Sequence, residues 1–234
     1  MRAASRLHQT KVEVLLCINQ PGDLAPGHPL GNVMMNEQIA NMAIPLLQSL
    51  DFVGSVNIVD NQDCVCDYDF DKFRQIGLKY TGHISRWYFY CFPELTCDLA
   101  EPIYIHTLPM QEKNIVINRT TRYHGEGWDY LLFRKWQDEM TFVGLPSEYK
   151  ILSAKLPKMK YKPVSDFLEL AGVIKSSNLF IGNQSMAFAL AEIMKVPRAL
   201  ELCQYANNVI PTGDNGYDCH RPANLITILN SKIK

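Results

Sequence analysis

Apolar residues in the first part of the chain follow the spacing of a strand, then a helix, then a second strand. Residues 11–18 alternate and then run apolar, as a strand does, and residues 55–59 return to a strand pattern. Between them, residues 32–50 carry apolar positions near helical spacing, and Pro45 is predicted to kink or split that helix. Residues 20–31 contain three glycines and three prolines, which predicts an irregular loop.

The second half of the chain alternates strand and helix patterns. Strands are predicted at residues 114–117, 140–143, 179–181 and 198–202, and helices at 128–136, from 146, at 164–175 and from about 186. The strand at 179–181 is apolar on consecutive positions, which favours a strand covered on both faces. The alternation predicts an α/β fold with parallel sheets. A connector at 102–113 predicts two Rossmann-like domains, 1–109 and 110–234.

A polar turn follows the strand at 179–181. Gly182 tolerates backbone conformations that other residues resist, and Asn183 and Ser185 are residue types that cap helix starts. Such a turn, at the carboxyl end of a parallel strand, presents backbone amides and a helix dipole to an anion. A capped helix without any ligand accounts for the same pattern.

A second polar turn favours an anion-binding site over a capped helix without any ligand. Residues 118–124, Asn-Arg-Thr-Thr-Arg-Tyr-His, follow the strand at 114–117, and arginine and threonine side chains suit a diphosphate. Glu201 ends another predicted strand, where carboxylates often bind ribose hydroxyls. Surface exposure, or pairing of Arg119 and Arg122 with nearby acids, remains open. The loop at 208–218 is another candidate, either to close over the crevice or to stay a plain surface loop.

Composition narrows the classes of partner. A net charge of −1 gives no general attraction to nucleic acid. No apolar run is long enough for an integral membrane segment and no secretory leader is recognisable, so a cytoplasmic location is expected. The seven cysteines are then expected to be reduced thiols. Cys64 and Cys66 have no second close pair, so no metal site is predicted.

Four stretches together resemble a known family: IVINRTTRYH, FVGLPSEY, the run from Asp166 to Cys203, and NVIPTGDNGYD. They are similar to the C-terminal half of bacterial and phage glycosyltransferases of the ADP-heptose:lipopolysaccharide heptosyltransferase type. GHISRWYFYCFPELTCDLAEP is similar to the middle of the same proteins. The resemblance covers most of residues 30–220.

The resemblance implies a GT-B fold, in which two Rossmann-like domains face a cleft and the C-terminal one holds a nucleotide-sugar without a cofactor or metal. The acceptor would be a glycan, a lipid-linked sugar or a protein. The implied donor-binding residues are Asn118, Arg119, Thr120, Arg122, Gly182, Asn183, Gln184, Ser185 and Glu201.

This chain departs from the family at its N-terminus. Family members begin with a Gly-Gly-x-Gly-Asp loop whose Asp is the expected acceptor base, and that loop is not found here, so the N-terminal domain is expected to be reduced. Asp23 and His83 are the available substitutes for the base. The leading hypothesis is therefore a glycosyltransferase-like protein. A catalytically inactive nucleotide- or sugar-binding protein and a sugar-nucleotide epimerase or hydrolase are the alternatives.

Overall fold

The computed structural model describes residues 1–22, 32–60, 65–77, 82–108, 110 and 114–233. They form two compact units. The smaller unit comprises Met1–Gly77, Tyr88–Cys97 and Ser165–Leu168, and the larger comprises Leu78–Trp87, Asp98–Val164 and Glu169–Lys234. The domain boundary between residues 109 and 110 stays a prediction.

The smaller unit contains a two-stranded parallel sheet. Its elements are α1 (Arg2–His8), β1 (Val12–Ile18), α2 (Glu37–Gln48), β2 (Val53–Asp60) and a 3₁₀ helix (Phe70–Gln75), and α3 (Ser85–Cys91) follows. β1 pairs with β2, and Leu16 of β1 packs with Ala40 and Ala43 of α2. The side chain of Asn36 caps α2 by accepting from the Ile39 amide at 2.9 Å. Because α2 continues through Pro45 to Gln48, the predicted split does not occur.

The larger unit is built on a six-stranded parallel sheet. Its elements are β3 (Ile115–Asn118), a 3₁₀ helix (Tyr130–Glu139), β4 (Met140–Phe142), α4 (Pro146–Ser153), β5 (Lys160–Tyr161), α5 (Phe167–Lys175), β6 (Leu179–Asn183), α6 (Met186–Met194), β7 (Arg198–Glu201), β8 (Gly216–Cys219) and α7 (Pro222–Lys232). The strand order is β5-β4-β3-β6-β7-β8. The predicted α/β class with parallel sheets is confirmed.

The central strands are covered on both faces. Every residue of β3, β6 and β7 is buried, as expected for the consecutive apolar positions of β6. Two assignments differ from the sequence patterns. The predicted helix at 128–136 is a 3₁₀ helix that begins at Tyr130, and the predicted loop at 208–218 contains the start of β8.

A buried ion cluster anchors that loop at the amino end of β7. Arg198 is fully buried, and its guanidinium donates to the Glu192 carboxylate and to the carbonyl oxygens of Val196, Thr212 and Asp214. Glu192 also accepts from the Thr212 amide at 3.1 Å. Residues 212–214 are therefore held at the amino end of β7, away from the strands' carboxyl ends.

One cysteine differs from the expectation that all seven are reduced thiols. Cys17 is disulfide-bonded, so the expectation that all thiols are reduced is wrong at that residue. Cys66, Cys91, Cys97, Cys203 and Cys219 are free.

In the part of the chain that the structure describes, no helix is long and apolar enough to cross a membrane.

Replacing Glu192 with Gln should cost the protein about 3–5 kcal/mol of unfolding free energy, because Arg198 would remain buried without a counter-ion. Burial opposes ionisation of Glu192, but the hydrogen bonds from Arg198 and Lys195 hold the pKa of Glu192 below its usual value. The greater unfolding free energy of the wild-type protein, compared with Glu192→Gln, should therefore be lost as pH falls through that lowered pKa.

Urea unfolding of Glu192→Gln should be compared with Asp138→Asn, which removes only an exposed ion pair with Lys158. The exposed pair is expected to contribute about 0–1 kcal/mol. Equal losses in the two variants would contradict a stabilising role for the buried cluster.

Candidate functional site

The order of the six strands reverses beside β3. The chain adds β4 and β5 on one side of β3, then returns through α5 to pair β6 with the other side and continues to β7 and β8. In open α/β sheets, ligands bind outside the carboxyl ends of the two strands that flank such a reversal, and this position is called the crevice. Residues 119–124 follow β3 and are called the β3 turn, and Gln184 and Ser185 follow β6. Both predicted polar turns therefore lie at this crevice.

Strand register brings the predicted donor residues together. Asn118 lies opposite Gly182, and Asn183 lies opposite Glu201. One edge of the sheet, called the carboxyl edge, therefore carries Asn118, Arg119, Thr120, Arg122, Gly182, Asn183, Gln184, Ser185 and Glu201.

Of the two residues predicted as substitutes for the catalytic base, only His83 is among the described residues, and it is not part of this group. Asp23 lies outside the described residues. His83 is buried, and its Nδ1 accepts from the Ser85 amide at 3.1 Å. Burial lowers the pKa of His83, although the nearby Glu192 carboxylate acts in the opposite direction. Because Glu192 lies in the second half of α6, His83 is at the opposite end of that helix from the crevice.

Ser185 and Asn118 join β3, β4 and α6. The Ser185 hydroxyl accepts from the Phe188 amide at 3.2 Å, so Ser185 is the N-cap of α6. The same hydroxyl donates to Asn118 Oδ1 at 2.9 Å, while Asn118 Nδ2 donates to the Val143 carbonyl at 2.7 Å. These bonds fix the start of α6, and with it the positive end of the helix dipole, at the crevice.

Gly182 is required by close packing. Its backbone is part of β6 and is not among the positive-φ glycines, so the conformational tolerance of glycine is not used at this position. A Cβ atom at Gly182 would lie 2.9 Å from the Phe180 ring and 3.3 Å from the Asn118 carbonyl oxygen. A glycine here lets β3 and the Phe180 ring approach the β6 backbone.

Asn183 is fully buried and its side chain binds the β3 turn. Its Oδ1 accepts from the Thr120 amide at 3.0 Å. Its Nδ2 donates to Thr120 Oγ1 at 3.1 Å and to the Arg122 carbonyl oxygen. The amide of Asn183 is therefore occupied by the turn.

Glu201 is also fully buried, and it pairs with Arg119. Arg119 Nε and Nη2 donate to the two carboxylate oxygens at 2.8 and 3.0 Å, and the Tyr130 hydroxyl and the Gly125 amide donate at 2.6 and 2.9 Å. Burial, then the negative charge of Glu201, raises the pKa of Tyr130 well above its usual value, so the phenol keeps its proton and donates. Glu201 thus binds protein groups and does not present its carboxylate at the surface.

Glu148, at the start of α4, is a further residue of the carboxyl edge that the sequence patterns did not single out. It is buried, and its Oε2 accepts from the Leu145 amide at 3.1 Å while the Thr121 amide also bonds to the carboxylate. The Pro-Ser-Glu sequence at 146–148 predicted a helix start, but nothing in it indicated the contact with Thr121. The β3 turn is therefore held from α4, β6 and β7.

Few polar side chains of the carboxyl edge remain open to solvent. Thr121, Arg122 and His124 are exposed, and Gln184 is half-buried. His124 Nε2 donates to the Thr120 carbonyl at 2.6 Å, which leaves Nδ1 for other partners. No ion pair holds the Arg122 guanidinium among the described residues. An exposed arginine without an ion pair, beside a helix N-terminus, favours an anionic ligand.

Replacing Glu201 with Gln should destabilise the protein by about 3–5 kcal/mol, because Arg119 would lose its counter-ion in a largely buried setting. Tyr130→Phe removes one hydrogen bond to a charged group and should cost about 1.5–3 kcal/mol. Urea unfolding measures both, with Glu126→Gln at an exposed neighbouring site as the control. An effect of Glu201→Gln as small as that of the control would contradict the proposed network.

The stability of the wild-type protein should fall as pH rises through the pKa of Glu148. Burial raises the pKa of Glu148. The hydrogen bonds from the Leu145 and Thr121 amides and the charges of Arg122 and His124 lower it, but burial has the larger effect. The folded protein therefore holds this proton more tightly than the unfolded chain does. Urea unfolding between about pH 4 and pH 7 should show this loss relative to Glu148→Gln. Parallel pH profiles of the two proteins would refute it.

Similarity to known proteins is found among solved structures. No family model matches the chain, and no curated protein matches it. Among solved structures, the chain is similar to a glycosyl transferase family 9 protein from Veillonella parvula, with 14% identity and a TM-score of 0.40 over 77% of this chain and 55% of that one.

The chain is also similar to the apo form of the glycosyltransferase GlyE of Streptococcus pneumoniae. The identity is 16% and the TM-score is 0.36, over 64% of this chain and 39% of that one. The chain thus spans about half the length of these structures or less.

Proposed function

We propose that the larger unit binds the diphosphate of a nucleotide-sugar at the carboxyl edge, between β3 and β6. The observation that carries this proposal is the position of the exposed Arg122 and the capped start of α6 at the point where the strand order reverses. Both features favour negative charge, and the reversal supplies the crevice. Within this proposal, Arg122 and Gln184 contact the ligand, and Thr120 supports them because its hydroxyl bonds to Asn183 Nδ2 and to the Arg122 carbonyl oxygen.

The remaining residues of the predicted donor site support the ligand through the protein. Arg119 is paired with Glu201, and Asn118 accepts a hydrogen bond from Ser185, the N-cap residue of α6. Gly182 allows the backbones to approach. These residues prearrange the crevice, which lowers the entropic cost of binding.

The proposed reaction is transfer of the sugar from the nucleotide to an acceptor such as a glycan, a lipid-linked sugar or a protein. The acceptor hydroxyl attacks the anomeric carbon, and the bond from that carbon to the diphosphate oxygen breaks. The positive charge of Arg122 and the dipole of α6 stabilise the leaving diphosphate. A base accepts the hydroxyl proton, and Asp23 remains a candidate for it. In this proposal the smaller unit serves the acceptor, as in a GT-B glycosyltransferase.

A nucleotide- or sugar-binding protein without transferase activity is the second candidate. The observation that favours it is the state of the carboxylates at the carboxyl edge. Glu148 and Glu201 are both buried and bonded to protein groups, so neither is placed to take a proton from an acceptor. Ligand binding by the larger unit does not depend on that base.

A nucleoside diphosphate should stabilise the protein. At one hundred times the dissociation constant the gain is about 2.7 kcal/mol. For a chain of this size, each kcal/mol raises the melting temperature by roughly 2–4 °C. Thermal shift measurements with ADP, GDP, UDP and CDP test this, and Arg122→Ala should reduce the shift. Arg134→Ala, at an exposed arginine of the 3₁₀ helix, is the control. The absence of any shift, with nucleotide-sugars as well, would overturn the donor site.

Product analysis should separate the two candidates. Incubation with the nucleotide-sugar that gives the largest shift should release nucleoside diphosphate in the presence of a mixed glycan acceptor pool if the protein is a transferase. A binding protein should release none. Free sugar formed without an acceptor would instead indicate a hydrolase.

A further inference from the structure

The backbone of Arg122 is fixed although its side chain is exposed. The Arg122 carbonyl oxygen accepts from Asn183 Nδ2 and from Thr120 Oγ1, the second at 3.4 Å. Two residues earlier in the chain, the Thr120 amide donates to Asn183 Oδ1 at 3.0 Å. A single buried amide group therefore binds both sides of the link between Thr120 and Arg122.

The chemistry of this contact requires an asparagine. The position needs an acceptor for the Thr120 amide and a donor for the Arg122 carbonyl, and a primary amide supplies both from one planar group. Aspartate keeps the acceptor but offers no donor, and leucine has neither. Because Asn183 is fully buried, its side chain has no free surface for a ligand.

Of the two arginines of the β3 turn, Arg122 is the one whose ligand binding Asn183 can influence. The other arginine of the turn, Arg119, already bonds both oxygens of Glu201. Arg122 has no such partner among the described residues, so its charge remains available to an anion at the crevice. A long flexible side chain binds well only if its backbone is held in place.

We propose that Asn183 is a positioning residue: it does not touch the ligand, and it holds the backbone of Arg122 so that the guanidinium meets the diphosphate beside the start of α6. This inference rests on the proposed function. Asn183 is therefore expected to affect the affinity for the diphosphate only by holding Arg122 in place.

A double-mutant cycle tests this assignment. The probe is whichever of ADP, GDP, UDP and CDP gives the largest thermal shift with the wild-type protein, and calorimetry measures its dissociation constant at several salt concentrations. Arg122→Ala should weaken binding about tenfold or more and flatten the salt dependence, because an exposed charge is screened by salt. Asn183→Leu should weaken binding and flatten the salt dependence in the same way. In the Arg122→Ala background, Asn183→Leu should have almost no further effect.

Two additional variants keep the test decisive. Ser177→Ala removes a different buried hydrogen bond of the larger unit, to the Ile174 carbonyl, and should lower the melting temperature without changing affinity. If Asn183→Leu does not fold, Thr120→Val takes its place, because it removes the bonds of Thr120 Oγ1 to Asn183 and Arg122. Its smaller loss of affinity should likewise disappear in the Arg122→Ala background.

The outcomes separate this inference from the proposed function. If the wild-type protein binds no nucleoside diphosphate, both fail. If it binds and Arg122→Ala binds equally well, the proposed position of the diphosphate at the carboxyl edge fails together with the positioning role. If Arg122→Ala weakens binding, the proposed position stands, and the Asn183 variants decide the positioning role alone. Losses that add in the double variant mean that Asn183 contacts the ligand directly, and unchanged affinity in Asn183→Leu means that its role is only structural. Either result overturns the inference.

Discussion

The pairing of β3 with β6 is the constraint on which the rest of the larger unit depends. These strands are far apart in sequence, and their pairing places the strand-order reversal at the centre of the sheet. The same register sets Asn118 beside Gly182, where a side chain would collide with the Phe180 ring and the Asn118 carbonyl. Both polar turns reach the crevice only because these two backbones lie side by side.

Buried polar side chains at the carboxyl edge bind the backbone of the β3 turn. Asn183, Glu201 and Glu148 each accept a backbone amide from residues 120–125, so the turn is held from β6, from β7 and from the start of α4. A turn of polar residues gains little from apolar burial, and such bonds take the place of packing. The result is a rigid support under an exposed cation, which suits a ligand site that must not reorganise on binding.

Much of the secondary structure was predictable because it rests on local spacing. The apolar run at 179–181 and the cap at Ser185 predicted β6 and the start of α6. β8 was missed because Gly216–Cys219 has little apolar character of its own and is a strand through its pairing with β7. In the candidate site, residue types indicated which turns to examine. They did not distinguish Arg119, which is paired with Glu201, from Arg122, which has no ion pair among the described residues.

The sequence by itself determined the α/β alternation, the polar turns after two buried strands and the absence of a general basic character. Those properties depend on residues near one another in the chain, or on composition alone. Only the tertiary structure decided which side chains of the carboxyl edge are exposed and which bond to the protein, because Arg119 and Glu201 are 82 residues apart and Asn183 and Thr120 are 63 apart. Their hydrogen bonds exist through strand register, which no local pattern specifies.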